Sequence, residues 1–134
     1  MAWTLLRIPL RLASPNAHRG TTKWAAIRHT QEVRAIREQV REAVAGAGLG
    51  ERGRPVAIQF TRVAPRRLDS DNLVAAFKPA RDGLCTALGF DDAALSIASP
   101  SPEPNMVLCT FRQATRGRTY WVELLLTYPD PPPS

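Results

Sequence analysis

The chain has 134 residues, 44% of them hydrophobic, which suffices for one domain with its own core. Eighteen basic side chains stand against twelve acidic ones, and a net charge of +6 favours phosphate-rich partners. No stretch approaches the ~20 apolar residues of a membrane span, the first residues lack the long apolar core of a secretory signal, and Cys85 and Cys109 are too isolated for a zinc knuckle. No membrane partner is therefore expected, and the cytoplasm is the expected compartment.

Thr4 to Leu12 reads as a first strand, with Leu6, Ile8, Leu10 and Leu12 on one side at period two. Pro9 makes it an edge strand or ends it early. Ser14 to Thr22 reads as a loop. From Trp24 to about Ala45 the apolar residues Val33, Ile36, Val40, Ala43, Val44 and Ala47 recur at three and four, the pattern of an amphipathic helix. Gly46, Gly48 and Gly50 end it. Val56 to about Val63 alternates as a second strand, and an aspartate-rich turn follows. A second helix is expected from about Asn72 to Leu88, burying Leu73, Phe77, Leu84 and Leu88. Pro79 should kink it near Ala75 or Ala76, or divide it into two short helices.

Leu95 to Ala98 suggests a short strand, and the prolines of Ser99 to Asn105 suggest a surface loop. Met106 to Gln113 and Thr119 to Tyr128 read as an antiparallel hairpin about Arg116-Gly117. The expected fold is α+β, a small mixed sheet with two main helices packed against it. One domain would span 1–128, with a flexible proline-rich tail over 129–134.

The chemistry concentrates in Arg66-Arg67-Leu68-Asp69-Ser70-Asp71-Asn72-Leu73 and in Asp91-Asp92. In an extended piece, Asp69 and Asp71 point to the same side. A divalent cation between two such carboxylates would turn their repulsion into attraction, and magnesium commonly takes one or two carboxylates plus water and phosphate. The plainer reading is that Asp71, Ser70 or Asn72 caps the helix and that Asp91-Asp92 is a polar turn. Lys78 either neutralises a phosphate or pairs with Asp82. Arg66 and Arg67 either grip phosphates or solubilise a turn. Arg81 lies beside this face. His18, His29 and the three tryptophans lack ligand or catalytic spacing; Trp24 alone, behind its loop, is a candidate for touching DNA.

These residues resemble the RusA family of Holliday-junction resolvases, whose pattern is an arginine-rich approach, then D-x-D-N-L, then a D-D pair about 20 residues on. Here that reads Arg66 to Leu73, then Asp91-Asp92 after Ala87-Leu88-Gly89-Phe90; Pro15-Asn16 loosely matches a further family feature after the first strand. The resemblance implies a RusA-like fold and a homodimeric, magnesium-dependent endonuclease (manganese being the alternative ion). Its substrate would be branched DNA such as Holliday junctions, in a bacterium or a phage-infected host. It carries the metal ligands to Asp69, Asp71 and Asp92, with Asp91 adjacent. Asp69, Asp71 and Asp92 become catalytic together with Lys78, and Asn16, Arg66, Arg67, Lys78 and Arg81 become contacts to DNA. The chain departs from the pattern where the family carries its helix lysine, here Ala75, and at Pro79, where an aspartate is usual. The alternative is a non-catalytic, structure-selective DNA-binding protein.

Overall fold

The computed structural model describes residues 2–12, 22–97 and 105–129. In chain order the elements are strand β1 (Ala2–Ile8), helix α1 (Lys23–Gly46), strand β2 (Ala57–Ala64), helices α2 (Ser70–Ala76) and α3 (Lys78–Leu88), and strands β3 (Leu95–Ser96), β4 (Val107–Thr115) and β5 (Trp121–Tyr128). Single 3₁₀ turns occupy Leu49–Glu51 and Asp92–Ala94. This is a small α+β domain with a mixed five-stranded sheet in the order β1-β5-β2-β4-β3. Asn16, His18 and the tail beyond Pro129 lie outside the described residues, as does nearly all of each expected loop at 14–22 and 99–105.

The expected hairpin does not form. β4 and β5 are separated by β2, which pairs parallel with β4 and antiparallel with β5. Alternation along a strand says which residues face the core, but not which strand lies alongside. The link from Arg116 to Tyr120 has the reach to pass over the end of β2, because two strand spacings are only about 9.6 Å. The Arg116 amide seals that crossing by donating to the Ala64 carbonyl at 3.1 Å, and Thr119 closes the turn on the Arg116 carbonyl at 3.2 Å.

Among the described residues β1 is an edge strand, paired with β5, and it stops at Ile8 just before Pro9. Leu10 and Leu12 are nevertheless buried beyond its end. Strand residues of one parity, among them Ile58, Phe60, Cys109, Leu124 and Leu126, lie beneath the helices. The other face carries Trp3, 67% exposed, and Leu5, with Arg7 over the Trp121 ring and hydrogen-bonded to Glu123 Oε1 at 3.0 Å.

α1 is capped by the Thr22 hydroxyl, which accepts from the Ala25 amide at 3.2 Å. Of its expected apolar stripe only Val40 and Val44 are fully buried; Val33 and Ile36 are half-covered, and Ala47 is exposed. α1 lies tightly on α3 at Gly83, where an added Cβ would sit 2.8 Å from the Arg37 carbonyl oxygen. The expected second helix is two helices broken at Phe77. Pro79 therefore falls in the first turn of α3, where its missing amide hydrogen has no helical partner to lose. The break seats Phe77 against Phe60 and Phe111 at centroid distances of 5.4 and 5.8 Å, and those two rings stack at 5.1 Å across the β2–β4 pair. Leu73, Phe77, Leu84 and Leu88 are all buried, as the periodicity required.

Candidate functional site

The acidic turn leaves the end of β2 and is held there by two side chains. Arg62, on the buried face of β2, donates from Nη1 to the Arg66 carbonyl at 2.7 Å and from Nε to the Leu12 carbonyl at 3.0 Å. Gln113, its partner in the parallel register on β4, clamps Leu68 from both sides. Its Oε1 accepts from the Leu68 amide at 2.9 Å, and its Nε2 donates to the Leu68 carbonyl at 2.7 Å. Burial lowers the pKa of the Arg62 guanidinium, with Arg11 adding to the effect and Tyr120 opposing it. Neither residue was singled out from sequence. For Arg62 the signal was there: an arginine in register with Ile58 and Phe60 on an apolar strand face.

Beyond this clamp Asp69 is the N-cap residue of α2, yet its side chain makes no capping hydrogen bond. Asp71 lies in the first turn. Both are exposed, and neither carboxylate has a hydrogen bond or ion pair among the described residues. Arg66 and Arg67 are exposed just before them. The capping expected of Asp71, Ser70 or Asn72 is absent, because the cap position falls one residue earlier.

The second acidic pair divides its work. Asp91 Oδ1 accepts from the Ala93 amide at 2.8 Å and caps the 3₁₀ turn. That backbone donor, then the Asp92 side chain, lowers the Asp91 pKa. Asp92 lies 4.0 Å from Lys78 Nζ, which is 3.5 Å from Asp82 Oδ1. Asp82 also accepts from Arg37 Nη2 at 3.3 Å. The left-handed Gly89, φ 80°, after α3 turns the chain for this return. Lys78 thus pairs with Asp82, as the plainer reading had it, and also reaches Asp92.

No protein-family model matches the chain, and no curated protein matches it. The geometry therefore stands by itself. Among the described residues no group of three or more His, Cys, Asp or Glu side chains is placed to hold a metal ion. Asp69 and Asp71 stand unengaged at the start of α2 among the described residues, and Asp92 stands beside Lys78. Arg81, expected at a phosphate, is half-buried, with Nη2 3.5 Å from the Val74 carbonyl, its guanidinium 5.9 Å from the Phe111 ring centroid and its buried Nε without a hydrogen bond. Ala75 is exposed and lines, with Lys78 and Pro79, one wall of a groove of about 790 Å³ whose other wall is α1. No described helix is long and apolar enough to cross a membrane.

Proposed function

We propose that the chain is a divergent relative of the RusA resolvases, a homodimeric metal-dependent endonuclease acting on branched DNA. The observation that carries this reading is the pair Asp69 and Asp71, two exposed carboxylates with no partner among the described residues, on a turn that Arg62 and Gln113 fix, flanked by Arg66 and Arg67. Hard oxygen donors suit magnesium or manganese, and two carboxylates match magnesium's habit of completing its shell with water and substrate phosphate. An ion bound there would polarise a phosphodiester and lower the pKa of a bound water. Arg66 and Arg67 supply forked donors to the phosphate, and Lys78 supplies a cation beside Asp92. In this reading a second copy supplies Asp91-Asp92 to a site that uses all four acids.

The experiment is cleavage of a synthetic four-way junction with and without magnesium, for the unaltered chain, Asp71→Asn and Ala75→Lys. Nicking that requires the ion, is lost in Asp71→Asn and rises in Ala75→Lys supports the reading. That no three acids among the described residues are placed to hold an ion favours a second reading, a structure-selective DNA-binding protein that does not cut. It predicts junction affinity that survives chelation and survives Asp71→Asn, with no cleavage under any metal condition.

A further inference from the structure

We propose that the N-terminal half of α1 is a nucleic-acid-binding arm on which Trp24 stacks against an unpaired base. The inference rests on the reading that the partner is branched DNA, and it names the surface and the mode of contact. Charge on α1 is segregated along its length. Residues 23–37 carry Lys23, Arg28, Arg34 and Arg37 against Glu32 alone, whereas residues 38–46 carry Arg41 against Glu38 and Glu42. Charge is also segregated around the helix. At 100° per residue, Lys23, Trp24, Ile27, Arg28, Gln31 and Arg34 share the outer side, whereas Glu32 lines the groove with Val33 and Ile36. The outer strip is thus free of acid until Glu38. All six of its residues are exposed, Trp24 at 73%, and no ion pair engages Lys23, Arg28 or Arg34 among the described residues.

A strip of cations with a bare indole and Ile27 between them matches the chemistry of an unpaired nucleotide. Phosphates take the cations, and a base face takes the ring. Two exposed apolar side chains fall far short of the roughly 800 Å² per partner that a stable protein interface needs.

The test measures affinity by fluorescence anisotropy, in chelator so that nothing is cut. The DNAs are a duplex with a three-nucleotide bulge and a fully paired duplex of equal length. Trp24→Ala is expected to weaken binding to the bulged DNA about 5- to 150-fold, the range for losing one base stack, with less than about a twofold change on the paired duplex. Trp24→Phe retains most of the affinity. The triple variant Lys23→Ala, Arg28→Ala, Arg34→Ala lowers the slope of log Kd against log salt by roughly 0.9 per cation removed on either DNA. Equal binding of the bulge by Trp24→Ala and the unaltered chain overturns the inference, as does an equal loss on both DNAs or an unchanged salt slope. If the unaltered chain binds both DNAs and only the Trp24 effect is missing, the arm fails while the reading of the function stands. If the unaltered chain binds neither DNA, both fall.

Discussion

Gly83 and Gly46 offer two substitutions of the same kind with opposite expected signs. Gly83 lies inside α3, where Gly→Ala ordinarily gains about 1 kcal/mol of helix propensity. An added Cβ there, however, would sit 2.8 Å from the Arg37 carbonyl oxygen and 3.0 Å from the Arg37 Cα. These are backbone atoms of α1 and cannot rotate away, so the helices must part by roughly half an ångström to restore ordinary contact. Overpacking of this kind costs about 1–3 kcal/mol. The net expectation for Gly83→Ala is a loss of about 1 kcal/mol, a fall in Tm of roughly 3–5 °C at this chain length. Gly46→Ala is the matched control: the residue ends α1 in helical conformation with nothing within 4 Å of the added atom. There the unfolded chain loses freedom at no steric cost, and a gain of about 0.4–1 kcal/mol is expected. Paired thermal melts and urea titrations decide it. A Gly83→Ala protein that melts at or above the parent would refute the tight seating of α1 on α3.

Gln113→Leu leaves both the amide and the carbonyl of Leu68 without their partner and should cost about 1–3 kcal/mol; urea unfolding of that variant measures it. Lys78→Ala should change stability by less than about 1 kcal/mol, because its ion pairs are long and the side chain is 61% exposed. A loss of junction binding or nicking in that variant, with an unchanged melt, then reports on chemistry and not on folding. Burial, reinforced by the nearby Asp92, pushes the Cys85 thiol up to about 12, and burial pushes Cys109 up to about 11. Both should resist a thiol reagent at pH 8 until the chain is unfolded. Because the folded pKa values are the higher ones, the folded chain holds its thiol protons longer. Stability is therefore complete below about pH 9 and falls above it, by at most about 1.4 kcal/mol per pH unit for each thiol, which urea titrations from pH 8 to 10.5 follow.

The reach of the sequence is clearest where one periodicity settles one question. The stripe Leu73, Phe77, Leu84, Leu88 predicted its own burial, and Pro79 predicted a kink or a division near Ala75 or Ala76, of which the division is seen, at Phe77. Strand neighbours were not legible, because alternation in Met106 to Tyr128 fits a hairpin as well as two strands astride β2. At the candidate site the acids were visible as a motif, but the approach of Asp92 to Lys78 depends on the turn at Gly89. The clamp from Gln113 was hidden, since an amide 45 residues from its partner leaves no local pattern.

The placement of β5 between β1 and β2 has a kinetic consequence. Among the described residues β1 pairs with β5, which is made only after β2, β3 and β4. Pairing over such a sequence separation closes slowly, and until then Trp3 and Leu5 sit on an open strand available to other chains. Synthesis halted before Trp121 should yield aggregates containing β1, because both of its edges then lie open, whereas pairing with β5 leaves one.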